Sequence, residues 1–199
     1  MNPTPVDDSR RTLLKTAAAG LAICATGTGT ALAAATSPPA EAPYGKPGEF
    51  DFLAGEWKIR HRRLKTPGSD DWVEFEGEAT CWTILGGVGS VEELRMPARD
   101  YSGMGLRLLD VSQADVKQRL WSDFWVNAKS GALTTPGTTG TFVDGAGTFL
   151  ADDMDGDTPI KVRGIWDRIT STSCRWHQAI SRDGGETWEG NWFMDWMRA

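Results

Sequence analysis

Histidine and cysteine are scarce in this sequence. Its 199 residues hold two histidines, His61 and His177, and three cysteines, Cys24, Cys81 and Cys174. No Cys-x-x-Cys occurs, so a closed zinc site lacks ligands and no metal is expected. No Gly-x-Ser-x-Gly elbow, phosphate loop or dinucleotide fingerprint is present, and no particular cofactor is indicated. No stretch reaches the roughly 20 apolar residues that span hydrocarbon. No 3.6-residue apolar period is sustained between Glu49 and Ala199. Positive charge is short as well. The net charge is −6, which argues against nucleic acid or an anionic membrane as partner, since both need clustered Lys and Arg. The one basic run, Lys58-Ile59-Arg60-His61-Arg62-Arg63, lies inside a strand-like pattern.

The first residues read as an export address. Ser9-Arg10-Arg11-Thr12-Leu13-Leu14-Lys15 matches the twin-arginine pattern. A weakly apolar stretch from Thr16 to Leu32 follows, and then Ala33-Ala34-Ala35 suits a signal peptidase. Leu21-Ala22-Ile23-Cys24 faintly resembles a lipoprotein box, but Ile23 is too bulky before the cysteine. The expected organisation is a signal peptide over 1–35, a flexible Pro/Ala/Gly-rich linker over 36–48 and one domain over 49–199, located in the periplasm. Removing 1–35 leaves 18 basic and 25 acidic side chains, a net of −7. Cys81 and Cys174 then remain, and an oxidising compartment would permit a disulfide between them.

The sequence is rich in tryptophan, with ten residues, all after the signal. Short runs of Trp, Val, Ile, Phe and Thr alternate with Gly/Asp/Asn/Pro clusters, the punctuation of an all-β protein. Strands are expected near Trp57–Leu64, Trp72–Leu85, Ser90–Met96, Gly103–Asp110, Arg119–Val126, Thr138–Val143, Gly147–Asp152, Ile160–Thr170, Ser173–Ser181 and Thr187–Arg198. Asp144-Gly145 and Asp155-Gly156 read as hairpin turns. Phe50–Ala54 suits one helical turn. About ten consecutive strands must hide their edges, either by closing into an up-and-down antiparallel barrel or by stacking as a sandwich.

Gly55-Glu56-Trp57 at the start of the first strand and Arg198 near the end of the last one favour the barrel. This pair resembles the calycin superfamily (lipocalins and fatty-acid-binding proteins). In that superfamily a Gly-x-Trp opens the barrel, and a basic residue of the final strand packs across the Trp to close one end. More narrowly, Phe50-Asp51-Phe52-Leu53-Ala54-Gly55-Glu56-Trp57, Ile84-Leu85-Gly86-Gly87 and the tail from Trp176 through Ser181–Trp188 to Trp192 resemble an uncharacterised bacterial family of calycin-like proteins. The resemblance implies the fold and carries no catalytic residues.

Two motifs invite over-reading. Ser181-x-Asp183-x-Gly185-x-Thr187-Trp188 matches the Asp-box hairpin of sialidase propellers, but one copy in one small domain is structural. Asp152–Asp157 is acidic, yet its Gly falls at the wrong offset for a calcium loop, and a solvated hairpin fits better.

Strict alternation from Trp57 and Ile59 sends His61 and Arg63 inward as well, unless the strand twists and leaves them at the rim. Arg63 would bind a carboxylate bidentately, and His61 would exchange protons near neutral pH. Trp121, Asp123 and Trp125 share one face of the fifth strand. If inward, Asp123 would have a raised pKa between two indoles; otherwise it pairs with Arg119 or Arg107 at the surface. Trp176 and Gln178 look inward with Ile180, leaving His177 outward, against a haem ligand there. The expected function is binding of a small hydrophobic or aromatic molecule by His61, Arg63, Trp121, Asp123, Trp125, Trp176 and Gln178. Two alternatives stand beside it. One is a proton-transfer enzyme (isomerase, cyclase or hydratase) using His61 or Asp123 with Arg63. The other is an interaction module with a filled core.

Overall fold

The computed structural model describes residues 43–199; the expected export signal and the first part of the expected linker lie outside them. Ten strands follow one another: β1 (Gly55–Leu64), β2 (Trp72–Ile84), β3 (Gly89–Met96), β4 (Tyr101–Leu109), β5 (Trp121–Asn127), β6 (Thr138–Val143), β7 (Ala146–Asp155), β8 (Thr158–Asp167), β9 (Ser173–Ser181) and β10 (Glu189–Arg198). Every strand pairs antiparallel with its neighbour in sequence, and β1 pairs with β10, so the sheet closes into a barrel. A sandwich is thereby excluded. Closure leaves no unpaired edge, which is the stable solution for a chain of this pattern.

The hairpin turns lie where the sequence places them. Val143 pairs with Ala146 around Asp144-Gly145, both at positive φ. Asp155 pairs with Thr158 around Gly156-Asp157. β7 runs three residues further than expected and β8 starts two earlier, because the acidic segment continues the ladder up to its turn. Its charges are partnered in part: Lys161 bonds Asp152 at 2.9 Å and Arg182 bonds Asp155 at 2.7 Å.

One end of the barrel is closed by the chain preceding β1. A single 3-10 turn, Asp51–Leu53, buries Leu53, and Phe50 beside it packs edge-on against Trp121 and Phe142 at 4.9 and 5.0 Å. Trp57 donates its indole N–H to the Leu53 carbonyl at 2.7 Å. Arg198 lies across the Trp57 ring with its guanidinium carbon 4.1 Å from the ring centre. The same guanidinium donates from Nη2 to the Phe52 carbonyl at 2.8 Å and from Nη1 to that of Ala54. Gly55 has φ +123°, and a Cβ there would come within 2.5 Å of Arg198 Nη1. Both the backbone angle and the missing side chain are therefore needed at this position. This is the Trp–Arg closure that Gly55, Trp57 and Arg198 imply.

The preceding segment is held too. Gly45 donates to the Arg119 carbonyl at 2.7 Å and Gly48 to that of Gly87 at 2.9 Å. A Cβ on Gly45 would meet Leu109 at 2.5 Å. The part of the expected linker from Gly45 onward is thus docked on the barrel.

The lower half, toward the closed end, is packed solid. Trp57, Trp121, Trp166, Trp196 and Phe149 are all buried. Each indole removes on the order of 150–250 Å² from water, so this aromatic layer dominates the core.

Candidate functional site

The upper half of the barrel differs in packing. The register puts Trp57, Ile59, His61 and Arg63 of β1 on the inner face, and with them Phe75, Tyr101, Asp123, Trp125, Trp176, Gln178 and Trp192 of the other strands. Phe75, Tyr101, Trp125, Trp176, Gln178 and Trp192 are only half-buried. These inner-face side chains keep part of their surface accessible, unlike the aromatic layer below them.

Trp121 does not belong to this open half. It is fully buried, edge-on to Phe50, and its indole N–H donates to Glu49 Oε2 at 2.8 Å. Its side chain is part of the plug, so the expectation that it lines a ligand pocket is corrected. The β5 register explains this: Trp121 is the lowest of the three inward residues of that strand, opposite Leu109.

His61 points inward, as the alternation requires, and is wholly buried. It stacks on Phe75 at 4.6 Å and 8°, and its Nδ1 accepts from the Trp192 indole at 3.2 Å. That bond fixes the neutral tautomer with the proton on Nε2, which faces the β2 backbone at Gly77. Burial, then the positive charges of Arg99 and Arg63, push its pKa down to about 4. Proton exchange near neutral pH is therefore lost; His61 is a neutral packing element that holds Trp192 in place.

Arg63 lies over the Trp192 ring at 4.6 Å, and Arg99, in the β3–β4 connection, lies over Phe75 at 4.4 Å. Burial and then Arg99 lower the pKa of Arg63. Neither guanidinium is paired with a carboxylate among the described residues. Tyr101 stacks parallel to Trp125 and its hydroxyl accepts from the Trp125 indole at 3.2 Å. A Cβ on Gly103, beneath Trp125, would fall 2.2 Å from that ring, so the indole lies flat against bare backbone. Trp176 meets Trp192 edge-on at 5.7 Å, and Gln178 bonds Asn191 at 3.2 Å.

Asp123 also faces inward, and its partner is Arg107, one of the two alternatives the sequence allows, but within the barrel instead of at its surface. Arg107 donates to Glu92 Oε2 at 2.5 Å and approaches Asp123 Oδ2 at 3.6 Å. Its guanidinium carbon is 5.2 Å from the centres of both the Phe50 and Trp166 rings. Burial would lower its pKa, but Asp123 and Glu92 outweigh that and hold it above the usual range. Asp123 keeps 20% of its side chain exposed, against 3% for Glu92. Burial raises its pKa to about 6, with Arg107 opposing and Glu92 adding to the rise. It is the less buried carboxylate of this layer.

His61 and Asp123 do not meet: the one bonds Trp192, and the ion pair of the other is with Arg107. The sequence reading missed Arg99, Tyr101, Phe75 and Glu92, and it named Arg107 only as a surface partner of Asp123. His177 faces outward as expected, stacked on Phe193 and 3.3 Å from Asp167. The Asp-box is a turn clasp: Asp183 accepts from the backbone N–H of Glu186 and Thr187, and Trp188 donates to the Gly185 carbonyl. Those bonds, the Thr187 hydroxyl first, hold its carboxyl below the usual range. Cys81 and Cys174 are free and buried.

Neither models of known families nor curated proteins give a match to this chain.

Proposed function

We propose that the protein is an exported, calycin-like barrel that binds one small, largely apolar or aromatic molecule in the open half of its lumen. The observation that carries this reading is the contrast between the two halves. Below, the indoles are sealed; above, Trp125, Trp176 and Trp192 stay half-exposed on the inner wall. Half-exposed indoles on the inner wall of a barrel suit a flat molecule, because they bury a ring without large loss of side-chain freedom. Twin arginines Arg10 and Arg11 support export to the periplasm, and the Trp57–Arg198 closure supports the calycin likeness.

The proton-transfer reading is less well supported. It asks for an acid and a base at one reacting atom, whereas His61 is neutral, buried and tied to Trp192. A filled interaction module describes the lower half alone.

The test is titration of tryptophan fluorescence and calorimetry with neutral probes, methyl naphthoate and decanol. Saturable binding at one site per chain, abolished by Trp176→Ala, is the expected result. No heat and no quenching with either probe overturns the proposal.

A further inference from the structure

Resting on the reading above, we infer that the lumen selects a bipolar aromatic molecule. Its anionic group sits between Arg63 and Arg99 at the mouth, and a hydroxyl or ammonium on its far end faces Asp123.

The mouth supplies the first half. Arg99 is close enough to raise the cost of the charge on Arg63, and both raise the cost of any charge on His61. Arg95, Arg107, Arg175 and Arg182 all have carboxylate partners, at 2.5–3.0 Å. Arg63 and Arg99 have only ring faces, Trp192 and Phe75. A guanidinium stacked on a ring keeps its N–H edge free, and that edge matches a carboxylate in bidentate fashion. Both guanidiniums are exposed, so solvent screens part of their repulsion, and a bound anion relieves what remains. Tyr101 adds a donor: its oxygen already accepts from Trp125, so its proton is free to point into the same mouth.

Asp123 supplies the second half. It lies two residues below Trp125 on the same face of β5, a drop of about 7 Å, which is the span of a fused bicyclic ring. Its one ion-pair partner, Arg107, stands 3.6 Å from Oδ2, a weak hydrogen bond at most, so the carboxylate keeps acceptor capacity to spare. The layer holds two carboxylates, Glu92 and Asp123, around a single guanidinium, so it favours a donor or a cation over another anion. The lumen is therefore polarised, basic at the mouth and acidic below, with Trp125, Trp176 and Trp192 between.

Calorimetry with three related probes tests this: methyl naphthoate, naphthoate, and a naphthoate hydroxylated on the far ring. Naphthoate is expected to bind the wild type at least about tenfold more tightly than its ester, and the hydroxyl to add about tenfold again, the low end of the scale of hydrogen bonds to charged groups. Arg99→Gln removes the first preference; Asp123→Asn removes the second. Arg99 is an exposed loop residue, and circular dichroism of both variants checks their folding. Ester binding without a carboxylate preference, or without a hydroxyl gain, overturns this inference while the aromatic site stands. Failure of all three probes to bind overturns both.

Discussion

The guanidinium carbon of Arg198 stands 4.1 Å from the centre of the Trp57 ring, and the two residues are register partners across the β1–β10 junction. The first and last strands are thus joined by more than their backbone ladder. One side chain ties the sheet's two ends together and caps the carbonyls of Phe52 and Ala54 at once. Arg198→Met keeps the length and removes the charge. It is expected to cost about 2–3 kcal/mol, from the ring contact and the stranded carbonyls. Urea unfolding followed by tryptophan fluorescence measures it. A loss under about 0.5 kcal/mol, typical of a surface change, would mean that the closure is ornamental.

Trp121 and Trp125 differ by two residues and by role. Trp121→Ala opens a cavity in the plug and strands Glu49, so a loss of about 3–5 kcal/mol is expected. Trp125→Ala removes a half-buried wall and should cost less stability while abolishing binding of methyl naphthoate. Parallel unfolding and calorimetry of the two variants separate the roles; equal effects on both measures would contradict the division of the barrel into plug and cup.

The pH dependence of stability has two opposing parts. His61 titrates near 6.5 when unfolded and about 4 when folded. The unfolded chain then binds more protons between these values, and stability falls as pH drops from 6.5 to 4. Asp123 is raised from 3.8 to about 6, so the folded chain binds the extra proton, and stability falls as pH rises from 4 to 6. In the wild type the two largely offset. Asp123→Asn removes the second, and its stability should fall on the order of 3 kcal/mol on acidification from pH 6.5 to 4. Urea midpoints across that range, with nitrogen NMR of the His61 imidazole, test this; a flat profile in the variant would contradict a neutral, buried His61.

Cys81 and Cys174 are sealed in the core, and burial pushes both thiols up, Cys174 to about 12. Thiolate is the reactive form, so both should resist a disulfide reagent in the native protein and react together on unfolding. Reaction of either thiol in native buffer at a rate near that of the unfolded chain would place it outside the core.

Strand number, hairpin turns and barrel closure were legible because each rests on local chemistry: Gly at positive φ, alternation, and one Trp–Arg pair at the ends. The charged layer was not, for a reason visible in β4. Leu106-Arg107-Leu108 invites the leucines inward, yet β3 and β5 fix the opposite parity through Glu92 and Asp123, which alone can neutralise Arg107. In β3 two adjacent glutamates, Glu92 and Glu93, hide which one turns in. Arg99 lies in a connection, where alternation says nothing. His61 was placed on the correct face, but its protonation is suppressed by burial first and by Arg99 next, neither of which can be read from β1.

Bare backbone under a ring has a further effect. At Gly103 the wall is one side chain thinner, and Trp125 occupies that saved depth. The bore of the lumen is therefore governed from behind the indole by a residue that no guest would touch. Enlarging Gly103 would push the ring inward and narrow the passage, so the size of molecule admitted can be retuned while every contact residue stays the same.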